Sequence, residues 1–330
     1  MKFNILFSIP VHEHFDVILD QLLNITTLNP NCAVVLHISK VFDYEKSAMS
    51  KDTFLNAIKS LGIYDRILIN PESIRTAIND IIQAHLSNFN FAKSQIEFEY
   101  FSMLSSNEIF IQSGLCNMIK KYNAGCGKTE ITNKTHWKWT KQTLQDKDLK
   151  LMLAEYNSTK IYSSQIEGSY YKTDIFIDIV NCVNKYYDYT KENILYPREE
   201  VYFSSLFWAI QQNKFTSATN IGSNYTYIPW KRISLNVYLC EVKNFIRNKD
   251  YIKSVKRVPR NIDDPIRCYL RQKYNYYKLE KAYIHCLPPI QSYIVLSMKN
   301  ILKELNWYLK RIKRIKLNKS FITQNILRIT

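Results

Sequence analysis

Two adjacent carboxylates, Glu199 and Glu200, follow Pro197 in the segment Tyr196-Pro197-Arg198-Glu199-Glu200-Val201-Tyr202-Phe203. A carboxylate held on a rigid element can take a proton from a hydroxyl, the work of a general base. A helix N-terminus attracts the same residues, because Pro loses nothing by its missing N–H there and acids complement the partial positive charge. Both readings fit. Upstream lies Glu167-Gly168-Ser169-Tyr170-Tyr171, and between the two blocks Ile175, Ile179, Cys182, Val183 and Tyr186 recur at helical spacing. That spacing predicts a helix running from a Gly-Ser loop to the Pro-Arg-Glu-Glu turn.

The elements that must hold these acids are legible from the N-terminus. Phe3 to Ile9 is a nearly continuous apolar run and reads as a buried parallel strand. Phe15, Ile18, Leu19, Leu22 and Leu23 mark an amphipathic helix, Cys32 to Ile38 a second strand, and Arg66 to Ile69 a third. Ile74, Ile78, Ile81, Ile82 and His85 mark another helix, and Phe98 to Leu104 a central strand. This alternation implies an α/β fold with a parallel sheet, helices on its faces and ligands at the carboxyl ends of the strands. Farther on, Asn224 to Trp230 and Ile233 to Leu239 read as short extended segments, and residues 124 to 165 as a variable loop region over the site.

The order Gly-Ser-Tyr-Tyr, helix, then Pro-x-Glu followed by an aromatic residue and Leu206 resembles the core-2/I-branching β-1,6-N-acetylglucosaminyltransferase family, including its bacterial members. In that family a Pro-Asp-Glu-x-x-Phe-x-x-Leu block carries the catalytic base. Here Arg198 replaces the Asp and one extra residue precedes Phe203. Counting from Pro197 selects Glu199, whereas counting back from Phe203 and Leu206 selects Glu200, which is preferred.

The resemblance implies a glycosyltransferase-A-like domain with a mostly parallel central sheet flanked by helices, and a basic helical C-terminal tail. It also implies inverting transfer of a sugar, GlcNAc or a related one, from a UDP-sugar to a saccharide or lipid-linked saccharide acceptor in capsule or lipopolysaccharide synthesis. By the same resemblance, His12, His37, Ser39, Ser105 and Glu108 at strand ends, with Lys256, Arg257 and Arg260, contact the donor. Glu167, Gly168, Ser169 and Tyr170 contact the acceptor. Lys and Arg would neutralise the pyrophosphate in place of a divalent metal, so no cofactor is expected.

Other motifs carry less. Asp146-Lys147-Asp148 has the Asp-x-Asp form that grips Mg²⁺ or Mn²⁺, but it sits in a polar, helix-like run and reads as a solvated surface pair. Tyr122 to Thr129 mimics a phosphate loop without its first glycine or a preceding strand. His136-Trp137-Lys138-Trp139 suits either sugar stacking or packing.

The 330 residues, 46% hydrophobic, can bury a sizeable core, which argues against disorder, and six glycines with nine prolines argue against a turn-dense β architecture. Seven cysteines without paired or His-linked spacing read as reduced thiols of a cytoplasmic protein. The expected division is a glycosyltransferase domain over 1–265 and a basic extension over 266–330. In the latter, Ile301, Leu302, Leu305, Tyr308, Leu309, Ile312 and Ile315 with six surrounding Lys and Arg suit docking to the core, nucleic acid or an anionic bilayer. Peripheral attachment to the inner membrane through this helix is the expectation. The net charge of +16 admits a nucleic-acid-binding protein as the competing class, although no such module is recognisable. A glycosyltransferase-like scaffold without activity is the third reading.

Overall fold

A computed structural model describes residues 1–12, 14–42, 49–76, 81–187, 196–214, 221–231 and 233–276. All lie in the first of two compact units, Met1–Tyr277; the second is Lys278–Thr330. The expected basic helix through Ile301 to Ile315 therefore lies outside the described residues.

The chain opens with β1 (Lys2–Val11), α1 (Phe15–Leu28), β2 (Cys32–Ile38), α2 (Lys51–Ser60), β3 (Ile67–Ile69), α3 (Ile81–Gln95) and β4 (Glu97–Met103). Shorter pieces follow: β5 (Ile109–Phe110), α4 (Leu115–Ile119), β6 (Ala124–Gly125), β7 (Thr129–Glu130), α5 (Thr140–Gln145), α6 (Lys147–Ala154), β8 (Tyr162–Ser163) and β9 (Tyr170–Lys172). The remainder holds α7 (Thr173–Tyr186), α8 (Glu199–Lys214), β10 (Ile221–Gly222), β11 (Thr226–Tyr227), α9 (Leu235–Asn248), β12 (Ser254–Val255) and α10 (Pro265–Tyr274).

The main sheet has the order β10-β6-β9-β4-β1-β2-β3. Strands β4, β1, β2 and β3 run parallel, and β9 is antiparallel to both β4 and β6. The fold is thus α/β with a largely parallel central sheet flanked by helices, as the alternation of periods predicts. Every residue of β2 is buried, which is why its sequence shows no polar alternation. The chain builds β2 and β3 on one side of β1 and then crosses to place β4 on the other. The carboxyl ends of β1 and β4 therefore form a topological switch point, where a crevice opens.

Helix α8 is buried on nearly all sides: Val201, Tyr202, Phe203, Leu206, Phe207, Ala209 and Ile210 are all within the core. It packs with α7 against the sheet through Phe176, whose ring meets Phe101 at 4.5 Å, Phe89 at 4.9 Å and Phe203 at 5.3 Å. Burying each such ring contributes about 1.5–3 kcal/mol.

Three expectations change. Ile233 to Leu239 is not a strand. Ser234 caps α9 by accepting from the Val237 N–H, and Tyr238, Val242 and Phe245 supply a helical inner face. Residues 124 to 165 are not one loop but hold α5, α6 and three short strands, with Trp137 and Trp139 packed against the core. Asp146 and Asp148 are not solvated; each is only 4% exposed. Helix α10, at the expected domain boundary, is bolted into the first unit: Arg267 donates to Asp20 of α1 at 2.8 Å with both side chains fully buried, and Arg271 donates to the same carboxylate at 3.1 Å. Breaking such a pair costs about 3–5 kcal/mol, because the surviving charge stays buried.

Candidate functional site

A cleft of about 360 Å³ opens at the switch point. Its floor comes from the strand ends, Pro10 near the end of β1 with His12 just after it, and Met103 at the end of β4 with Leu104 to Asn107 after it; Ile81 and His85 of α3 form one wall. Ile166 and Glu167, from the loop before β9, and Pro197, Glu199 and Glu200, at the start of α8, form the other. Lys256 and Arg260, after β12, complete the rim. Of the site residues expected from sequence, His12, Ser105, Glu167, Glu199, Glu200, Lys256 and Arg260 share this one cleft.

Local physics places the two glutamates. The Arg198 carbonyl accepts from Val201 at 3.0 Å and Tyr202 at 2.7 Å, starting α8, so Glu199 and Glu200 fall in its first turn. Arg198 itself turns away, its guanidinium 4.7 Å from the Tyr187 ring centre. The acids therefore sit at a helix N-terminus, and they also face the cleft. Burial, then repulsion from Glu167, pushes Glu200 up to about 7, and Lys256 partly offsets this. Glu199 is raised well above the ordinary carboxylate range, chiefly by complete burial, and its Oε2 has no hydrogen-bond partner. A carboxyl that titrates near neutrality can exchange a proton at neutral pH, which its neighbour, raised further, does less readily.

The opposite charge comes from the rim. Lys256 Nζ pairs with Glu167 Oε1, and the Lys256 carbonyl accepts from the Tyr238 hydroxyl of α9, so both ends of the residue are held. His12 is lowered from its ordinary value by burial and then by Arg260, so it stands neutral beside that guanidinium, with Nε2 3.2 Å from Thr76 Oγ1. A neutral imidazole beside the Arg260 guanidinium, on a rim that also carries Lys256, suits an anionic group, since it adds hydrogen-bonding capacity without a competing charge.

The other expected residues do not line the cleft. His37 is buried, its Nε2 accepting from the Ile74 N–H at 3.0 Å, and Ser39 Oγ accepts from Thr76 N at 3.3 Å. Together they tie the 74–76 segment, expected as helix at Ile74, across the end of β2. Glu108 is buried beneath the cleft, where its Oε1 accepts from Ser254 at 2.6 Å and from Thr226, and its Oε2 from Ser105 N at 3.2 Å. Burial pushes it up to about 7. It knits β11, β12 and the loop after β4 into one support. Arg257 adopts φ 65° and donates to the Pro229 carbonyl at 2.8 Å, pointing away from its neighbour Lys256.

Gly168, Ser169 and Tyr170 anchor the loop that presents Glu167. Gly168 has φ 72° and a Cβ there would meet Thr226 Oγ1 at 2.3 Å, so only glycine fits. Ser169 Oγ donates to Ile166 O at 2.6 Å, and Tyr170 lies inside the sheet against Tyr225.

Sequence reasoning missed His85 as a site residue. It read as one more position on a helical stripe, yet it lines the cleft with Nδ1 2.8 Å from Ser8 Oγ, and burial pushes it down to about 3, leaving it neutral. The signal available was a histidine on an otherwise apolar stripe following a strand end.

Asp146 accepts from the hydroxyls of Tyr196 at 2.6 Å and Tyr202 at 2.7 Å and caps α6 through the Leu149 N–H at 3.0 Å. It is fully engaged in structure. Among the described residues no group of three or more His, Cys, Asp or Glu side chains is placed to hold a metal ion, and no helix is long and apolar enough to cross a membrane.

No family model matches the chain. It is similar to a chondroitin synthase of Pasteurella multocida (strain Pm70), 25% identical over 237 residues, which covers 68% of this chain and 24% of that protein. The chain thus matches about a quarter of the length of that relative. Among solved structures it is similar to the apo-form glycosyltransferase GlyE of Streptococcus pneumoniae TIGR4, with TM-score 0.37 and 8% identity over 86% of this chain and 62% of that one. It is also similar to the apo bifunctional glycosyltransferase WbbM, with TM-score 0.39 and 8% identity over 86% and 51%.

Proposed function

We propose that this protein is a glycosyltransferase of the glycosyltransferase-A type, moving a sugar from a UDP-sugar donor to a saccharide acceptor with inversion. The observation that carries the reading is the meeting, in one switch-point cleft, of Glu199 and Glu200 on one wall with Lys256 and Arg260 on the rim. The similarity to a chondroitin synthase supports the same class. Glu200 takes the proton from the acceptor hydroxyl as its oxygen attacks the anomeric carbon, while the bond from that carbon to the phosphate oxygen breaks and UDP departs. Lys256 and Arg260 neutralise the negative charge that develops on the leaving group. Glu167 orients Lys256 and lies on the acceptor side. Asp146 is committed to two tyrosines and a helix cap, so the chain's Asp-x-Asp triplet is a support and the rim cations do the neutralising. The core-2/I-branching resemblance favours GlcNAc or a related sugar as the transferred group, and a cell-surface polysaccharide as the setting.

Titration with UDP, with DNA and with RNA at physiological salt, followed by product analysis over a panel of nucleotide sugars, tests the reading. UDP binding with transfer of one sugar is the expected result. Binding to nucleic acid without binding to UDP would overturn it, and UDP binding without product from any donor would mark an inactive scaffold.

A further inference from the structure

Beside the cleft, the stretch from Trp230 to Arg260 combines two properties that go beyond what the transfer reaction uses. It carries nine Lys or Arg against Glu241 and Asp250, and with Lys256 and Arg260 set aside for the transfer, seven remain, a net +5. It also holds four of the eight exposed large hydrophobic side chains among the described residues, Trp230 at 71%, Leu235 at 37%, Val237 at 49% and Tyr251 at 59%. Inward, α9 buries Tyr238 and Val242 and sets Phe245 against Tyr227 at 4.9 Å, so the helix is firmly seated. Outward, its first turn and the preceding Trp230 are left to solvent, with Lys231, Lys243 and Arg247 exposed on the same segment. The Arg257 guanidinium lies 5.6 Å from the Trp230 ring centre and donates to Pro229, which fixes this edge next to Lys256 on the cleft rim.

We infer that the Trp230–Arg260 segment is a docking surface for an anionic lipid bilayer, seating the cleft mouth at the membrane. Charge complementarity selects the occupant, because clustered cations next to a bilayer with acidic headgroups are attracted within a Debye length. The apolar members distinguish a bilayer from a nucleic acid. Trp, Leu and Val among lysines gain by entering the headgroup–acyl boundary, where indole is favoured, whereas a phosphodiester backbone offers them no shelter. The surface lies within the first compact unit. The inference also stands apart from the proposed transfer, since it concerns where the cleft sits and not what it catalyses.

The test is co-sedimentation of the full chain with phosphatidylcholine vesicles, with and without phosphatidylglycerol. Binding is expected only with phosphatidylglycerol. The variant Trp230→Ala/Leu235→Ser/Val237→Ser should lower partitioning at least about tenfold, by removing the inserting side chains. Lys231→Glu/Arg247→Glu should lower it by about tenfold or more through charge alone. Both variants should keep the wild-type thermal midpoint and UDP affinity. Several outcomes overturn the inference: variants that sediment like wild type, equal sedimentation with neutral vesicles, or binding to nucleic acid in place of vesicles. Vesicle binding unchanged while a dimer or the thermal midpoint is lost would also overturn it, assigning the surface to a second copy or to another part of this chain.

Discussion

Asp146 and Glu199 are both buried acids at the start of a helix, each with a second acid one or two positions on, yet their surroundings are opposite. The Asp146 carboxylate is saturated by Tyr196, Tyr202 and the Leu149 N–H, so it is a joint between α6 and the entry to α8. The Glu199 and Glu200 carboxyls face a cleft, are shifted up by burial and like charge, and leave Glu199 Oε2 without a partner. The two regions are also linked: Tyr196 precedes Pro197 and Tyr202 lies in α8, so the joint at Asp146 positions the pair at 199 and 200. Saturation marks Asp146 as architecture, whereas a shifted, unsaturated acid beside cations is what makes the 199–200 pair the candidate for the proposed chemistry.

The sharpest way to break that contrast is Glu200→Gln, which keeps size and hydrogen bonding but removes the base. Turnover should fall at least about a hundredfold with donor binding nearly intact, and Glu199→Gln should cost less. Full turnover in Glu200→Gln with none in Glu199→Gln would exchange their roles; no effect from either would remove the cleft from the chemistry. Asp146→Ala should instead lower stability by about 2–4 kcal/mol, since it removes a cap and leaves two buried hydroxyls unpaired, as read by denaturant or thermal unfolding. A fully stable Asp146→Ala protein that had lost only activity would erase the distinction.

Next in size, Lys256→Ala and Arg260→Ala should each raise the donor KM and lower kcat, together losing about 1.5–3 kcal/mol of transition-state stabilisation per substitution. The pH dependence sharpens the same contrast. Glu200 must be ionised to act, so kcat/KM should rise with pH up to about 7 and then level. Stability runs the other way for this group. Its carboxyl holds a proton more tightly folded, at about 7, than at the ordinary value of 4.5, so between those values the folded state binds more protons and stability falls as pH rises. Glu200→Gln should therefore melt higher than wild type at pH 8, with the difference vanishing below pH 4.5. The smallest expected effect is that of EDTA: activity should survive it, because Lys256 and Arg260 supply the charge. Loss in EDTA restored by Mn²⁺ or Mg²⁺ would break the assignment of Asp146 to structure.

Sequence by itself determined the local parts. Continuous apolar runs produced β1 and β2, the 3.6 period produced α1 and α7, and Pro197 with two following acids marked the start of α8, because each depends on contacts a few residues apart. It also brought most of the cleft into view, through His12, Glu167, Glu199, Glu200, Lys256 and Arg260. Local reading failed at Ile233 to Leu239, where alternating apolar residues resemble a strand, whereas the Ser234 cap and the packing of Tyr238 and Phe245 on Tyr227 of β11 make it a helix. The tertiary structure alone decided which acids would meet cations and which tyrosines. Asp146 and Tyr196 are fifty positions apart, and Glu167 and Lys256 eighty-nine. It likewise turned Lys256 into the cleft and its neighbour Arg257 out of it. The physical reason is that burial, desolvation and pairing depend on neighbours brought together by the sheet's crossover, and nothing in the chemistry of an isolated Asp-x-Asp or Glu-Glu distinguishes a joint from a base.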